Sequence, residues 1–257
     1  MDILSVLFRW LHIAAGILWI GLLYWFNFVN IPFAGTMDGD TKKKVVPELM
    51  PRALYWFRWG AAYTWITGVL LLLLVFYQGG LMFEQDNPVG WGAGAIIMLI
   101  VTFGGFALYD MLAKTALAKN PKACAVVGFV LIAVVVYLFM SVGGYSYRAY
   151  VIHTGAMFGT IMAGNVWMRI WPSQKKIIPA IKEGTAPDAA LVSLAGMRSR
   201  HNVYLSVPLV WAMINFHTTT LSMADPLKDT LVLMAVVLIA WLMVSWIYKK
   251  AATIKGF

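Results

Sequence analysis

Leu4–Val29, LSVLFRWLHIAAGILWIGLLYWFNFV, is one apolar run of 26 residues that holds a single arginine, Arg9, and a single histidine, His12. A bilayer's hydrocarbon core takes about 20 helical residues to cross, so this run is long enough to span it. No small-residue cleavage site interrupts the run, which separates it from a removable signal peptide. The same pattern recurs down the chain. Apolar windows predict further helices at Leu54–Tyr77, Trp91–Leu112, Ala123–Val142, Tyr150–Trp171, Asn202–Thr219 and Thr230–Tyr248. Proline and glycine punctuate the gaps, as at Asn30-Ile31-Pro32, Gly79-Gly80, Gly143-Gly144 and Trp171-Pro172. The reading is all-α: a polytopic membrane helix bundle of about seven transmembrane helices, with residues 1–257 forming a single integral membrane domain.

Composition agrees. Hydrophobic residues make up 61% of the chain and charged ones 12%, against roughly 25% charged in an ordinary soluble domain. Twelve tryptophans and eleven tyrosines suit the aromatic belts at the two membrane surfaces. The net charge of +9 does not point to nucleic acid, because the basic residues sit in the short connections rather than on one water-facing surface. Their distribution sets an orientation instead. Seventeen of the twenty fall on one side: in the first connection with its flanks (Lys42 to Arg58), in the third (Lys114, Lys119, Lys122), in the fifth (Arg169 to Arg200) and in the tail (Lys249, Lys250, Lys255). Only Arg9, Arg148 and Lys228 remain for the other. Positive residues stay cytoplasmic, so the N-terminus is expected outside and the C-terminus inside. That describes a multi-pass protein of a bacterial inner (cytoplasmic) membrane. The connection from Pro172 to Arg200 is expected to be a loop with a short interfacial helix.

All four histidines, His12, His153, His201 and His217, lie inside or at the ends of the apolar windows. Imidazole is expensive in hydrocarbon and usually has a task there. In a helical membrane bundle the common one is ligation of haem iron. Cys124 is the lone cysteine and no C-x-x-C-H occurs, so a haem would be held as b-type, by side-chain ligation and packing. Orientation turns position into depth. His12, His153 and His217 fall in one outer layer, while His201 starts the sixth helix roughly 24 Å from His217 on the inner side. The expected axial ligands come from His12, His153 and His217, with His12–His153 the preferred pair and Met213 a weaker alternative. Gly16, one turn from His12, and Gly155 and Gly159, after His153, would let a porphyrin lie against the backbone, though helix packing would use such glycines equally well. Arg9 and Arg148, two of the three outer cations, are the expected partners of haem propionates. His201 stands among Arg198, Arg200 and Asn202, with Asp110 and Asn165 expected at similar depth. That group reads as a second site, a proton route or a polar helix cap.

At these residues the chain resembles a known family. Arg148-Ala-Tyr-Val-Ile-His153-Thr-Gly-Ala-Met-Phe-Gly-Thr-Ile-Met-Ala-Gly-Asn165 and Met197-Arg-Ser-Arg-His201-Asn-Val-Tyr-Leu-Ser-Val-Pro208, the latter continuing to Asn215-Phe-His217, are similar to motifs in the membrane domain of PuuD-type urate hydroxylases, the urate oxidase N-terminal family. Leu11-His12-Ile-Ala-Ala-Gly16 is similar both to that family's opening and to the first helix of HemJ-type haem proteins. The resemblance implies oxidation of urate to 5-hydroxyisourate, with electrons leaving through a cytochrome c domain fused after the membrane part. The sequence stops at Phe257 without such a domain, so electrons are expected to pass to a separate cytochrome c or to the respiratory chain. The alternative reading is a non-catalytic haem-binding electron-transfer or structural subunit of a respiratory complex. A transporter is disfavoured: Asp110 is the one acidic candidate inside the windows, and no inverted repeat is evident.

The orientation is directly testable. Fused after Lys250, green fluorescent protein should fluoresce and alkaline phosphatase should be inactive; the opposite pair would reverse the topology.

Overall fold

The computed structural model describes residues 2–84 and 90–254; Lys255, counted above among the inner cations, lies outside them. The described residues form helices and connections with no strand. In chain order these are α1 (Asp2–Tyr24), α2 (Ile31–Thr36), α3 (Gly39–Leu71), α4 (Ala93–Leu112), α5 (Pro121–Ser141), α6 (Tyr147–Asn165), α7 (Trp171–Glu183), α8 (Ala189–Asn215) and α9 (Pro226–Ala251). Five segments are long and apolar enough to cross a membrane: Ile3–Thr36, Gly39–Tyr77, Ala93–Leu112, Pro121–Ser141 and Pro226–Ala251. The fifth and sixth expected spans correspond to α6 and α8. Both are long helices, but they carry more polar residues and are more deeply buried.

Several boundaries differ from the sequence expectation, for identifiable reasons. Pro32 and Pro172 do not stop their helices, because a π turn precedes each of them. Ile31 N–H reaches back to the carbonyl of Phe26, and Trp171 N–H to that of Val166. The wider turn absorbs the hydrogen bond that proline cannot make. A third π turn, Leu72–Tyr77, extends α3. α3 itself begins well before Leu54 as a charged helix carrying an exposed Glu48–Arg52 pair at 2.9 Å. Asp38 accepts the amide of Thr41 at 2.7 Å at this helix start, which holds its carboxyl below the usual range. The long basic connection is largely helical as well. α7 ends at Gly184, whose φ of +76° supplies a left-handed cap, and α8 starts at Ala189.

The chain divides into two compact units. The first comprises Met1–Leu70, Met162–Ser206 and Leu242–Phe257. In it, α1 turns Trp19 and Leu23 inward, the π turn after it buries Phe26, and Ile3, Val6, Trp10, Ile13 and Ile17 are left exposed. An apolar exposed stripe of that length suits lipid, not water. Several buried polar side chains in this unit bond to one another. Asn165 Nδ2 donates to Asn202 Oδ1 at 2.8 Å, Asn202 Nδ2 to the Met162 carbonyl at 3.0 Å, and Arg198 Nη1 to Asn165 Oδ1 at 3.3 Å. Asn27 bridges further, donating to Ser199 Oγ at 2.8 Å and accepting from the Tyr248 hydroxyl at 2.9 Å.

The second unit comprises Leu71–Ile161 and Val207–Trp241. Its centre is the first part of α6, where Val151, Ile152, His153 and Thr154 are all buried, with Phe139 of α5 beside His153 and the α8 residues Ala212 and Leu209 beside Gly155 and Gly159. α4 approaches α5 so closely that a Cβ on Gly94 would run into the carbonyl oxygen of Val142. Gly94→Ala should therefore cost about 1–3 kcal/mol by overpacking. Gly104→Ala on the same helix, with nothing within 4 Å of its Cβ position, should be neutral or slightly stabilising. Thermal melts in detergent check the pair, and equal effects would contradict this packing.

Candidate functional site

In the first unit, His12 projects from α1 onto α3. Its Nδ1 lies 2.9 Å from the Thr64 carbonyl and 3.2 Å from Thr67 Oγ1. A carbonyl can only accept, and Thr67 Oγ1 already donates to the Tyr63 carbonyl at 2.6 Å. The proton of His12 is thus on Nδ1, and Nε2 carries the lone pair. Gly68 makes the approach possible, since a Cβ there would stand 2.9 Å from His12 Cε1. Gly16 faces the same helix; a Cβ there would lie an ordinary 3.8 Å from Thr64 Cγ2. Arg9 is exposed on α1.

In the second unit, His153 is fully buried on α6. Its Nδ1 donates to the Ala149 carbonyl at 2.7 Å, one turn back, and its Nε2 accepts from the Tyr77 hydroxyl at 3.0 Å. The ring sits in an aromatic box of Tyr145, Tyr77, Phe76 and Phe139, with centroids 4.9 to 6.2 Å away. Tyr77 and Phe76 come from the π turn that extends α3, and such turns often shape functional sites. Gly155 and Gly159 face α8. A Cβ on Gly155 would lie 3.1 Å from Ala212 Cβ and 3.2 Å from Met213 Cε, and one on Gly159 would lie 3.4 Å from Leu209, so helix packing uses both. Arg148 is half-buried and forms no ion pair among the described residues.

The remaining sites distribute as follows. His217 lies in the turn beyond the end of α8, not in the helix as expected, and is exposed. Its ring is 3.7 Å from that of Phe216, which in turn is 5.7 Å from Phe76. An aromatic chain thus runs from His153 through Phe76 and Phe216 to His217. His201 is half-buried on α8, and of its expected company Asn165, Arg198 and Asn202 do come together. Asp110 belongs to the second unit, where it pairs with Lys114 at 2.6 Å.

Sequence reasoning missed Tyr77 and the Thr64–Thr67–Gly68 stripe. The stripe's spacing, small residues on one helical face, was a usable signal. Tyr77 meets His153 across 76 positions of sequence, and nothing local announces that contact.

The class is thus a polytopic helical membrane protein with imidazoles set among apolar helices, two of them bonded through Nδ1 to a backbone carbonyl. The sequence profile described as urate oxidase N-terminal matches residues 33–256, and the chain belongs to that family. His153, His201 and His217 lie within the matched span; His12 precedes it. No curated protein and no solved structure matches the chain.

In ligand-free protein, Tyr77→Phe should cost about 1–3 kcal/mol by leaving a buried ring nitrogen without its donor. Tyr147→Phe should cost less than about 0.5 kcal/mol, because that buried hydroxyl has no hydrogen-bond partner among the described residues. Denaturant titration separates the two, and equal costs would contradict the Tyr77–His153 contact.

Proposed function

We propose that this chain is a haem b membrane oxidoreductase related to urate hydroxylase, converting urate to 5-hydroxyisourate and passing electrons to a separate cytochrome c or the respiratory chain. One observation carries the haem part: His12 and His153 are each locked through Nδ1 to a backbone carbonyl. That arrangement fixes the tautomer and leaves the Nε2 lone pair as the one to ligate, as outer-shell carbonyls do for metal-bound histidines; at His153 the Tyr77 hydroxyl that donates to Nε2 in the ligand-free protein would give way to the iron. Among the described residues no three His, Cys, Asp or Glu side chains cluster as a metal site, whereas a porphyrin asks the protein for one or two axial ligands only. The residues therefore fit the group. His12, His153 and His217 are the ligand candidates, Arg9 and Arg148 the cations available to propionates, and Gly16 the small residue one turn from His12.

Bound there, a haem would supply one-electron acceptance at a potential set by its ligands and surroundings. The chain's own contribution is to hold the imidazoles, exclude water with the aromatic box and keep Nε2 deprotonated. Urate conversion consumes one water and releases two electrons and two protons, so two one-electron acceptors are needed for each turnover. Family membership supports the substrate. The basic connections support an N-out, C-in orientation in a bacterial inner membrane, with the electron exit on the outer face.

The experiment is anaerobic addition of urate to purified, haem-loaded protein, with and without soluble cytochrome c. Urate should reduce the haem and then the cytochrome c. Haem that dithionite reduces and urate does not would reject urate and favour a non-catalytic electron-transfer subunit.

A further inference from the structure

Arg58 lies outside everything assigned so far. It lies one turn inside the apolar run that starts at Leu54, among the α3 aromatics Tyr55, Trp56 and Trp59, the composition of a membrane surface. Arg58 therefore sits at the boundary between acyl chains and headgroups. Its guanidinium carbon is 4.0 Å from the Trp171 ring centroid, 5.6 Å from Tyr55 and 5.8 Å from Trp167. The wall is itself fixed: Trp167 Nε1 donates to the Arg58 carbonyl at 3.1 Å, and Trp59 packs edge-on against Trp167 at 5.5 Å.

Among the described residues no hydrogen bond from the Arg58 guanidinium to a protein acceptor is present. Its buried Nε has no hydrogen-bond partner and no carboxylate lies within ion-pairing distance among the described residues. Glu48, one of the acids of α3, is held by Arg52 at 2.9 Å. A half-buried guanidinium stacked on indole keeps its planar fork for a bidentate oxyanion. The surroundings are also cationic. Lys175, Lys176 and Lys182 are exposed on α7, and Lys43 Nζ stands 3.0 Å from where a Cβ on Gly184 would lie, which brings the basic start of α3 alongside α7.

We propose that Arg58, on its Trp167–Trp171 wall, is a binding site for the phosphate of an anionic phospholipid. The depth selects a lipid over a soluble anion, because a headgroup phosphate is carried to this level by its own acyl chains. The basic rim concentrates anionic lipid around the site, and Arg58 gives one molecule a fixed seat. The site is independent of haem and of urate.

The test is native mass spectrometry of the full chain after incubation in detergent with equal amounts of phosphatidylglycerol and phosphatidylcholine. Wild-type protein should retain phosphatidylglycerol preferentially as a one-to-one adduct. Arg58→Gln should reduce that adduct about fivefold, the weight of one arginine at an anionic surface, while Arg52→Gln leaves it unchanged. If Arg58→Gln does not fold, Trp171→Leu, which removes the ring beneath the guanidinium, should give the same loss. Equal retention of the two lipids, an equal loss in Arg52→Gln, or displacement of the adduct by inorganic phosphate or urate would each overturn the proposal.

Discussion

A polar group inside a hydrocarbon solvent must find its partner within the protein, and the structure depends on how α6 and α8 meet that demand. α6 carries a fully buried histidine and a fully buried asparagine, and α8 a fully buried arginine and another asparagine. Neither helix could face lipid with those residues. They are covered instead by helices whose outer faces are almost wholly apolar. The polar contacts that result are specific in direction as well as in energy. Asn165 donates to Asn202, which donates in turn to a backbone carbonyl, and His153 is fixed at both nitrogens. Each such pair admits one helix rotation and rejects its neighbours, so satisfaction of polar groups also sets the register of the packing.

The π turns serve the same end. In a regular α-helix, proline at position 32 or 172 would leave a carbonyl without its donor inside an apolar environment. Widening one turn shifts the hydrogen bonds to i→i−5 and keeps the chain helical. The third π turn has no proline to accommodate. It re-aims the end of the α3 segment so that Phe76 and Tyr77 both reach His153.

Much of the fold is legible in the sequence, because length and apolarity are local properties. The windows for α1, α4, α5 and α9 fall on helices that are long and apolar enough to cross a membrane. Helix ends were less legible. Lys42 to Lys44 and Arg198 to Arg200 are polar enough to read as loop, yet they lie in helices that run beyond the hydrocarbon, where charge costs little. For the same reason the connection after Pro172 shrinks to Gly184–Asp188. The histidines were legible as functional candidates because burying imidazole is costly. Their partners were not, since Thr64, Ala149 and Tyr77 act through backbone carbonyls or across long stretches of sequence. His217 shows the converse limit: an apolar window placed it in a helix, whereas the helix ends at Asn215.

The central claim is that His153, proton on Nδ1 and lone pair on Nε2, is a haem ligand. The most direct measurement is the dithionite-reduced minus oxidised absorption spectrum of purified wild-type, His153→Ala and His201→Ala proteins. A b-type α band in the wild type, lost or shifted in His153→Ala and intact in His201→Ala, is the result this account predicts. Absence of the band from the wild type, or its survival unchanged in a folded His153→Ala protein, would contradict it.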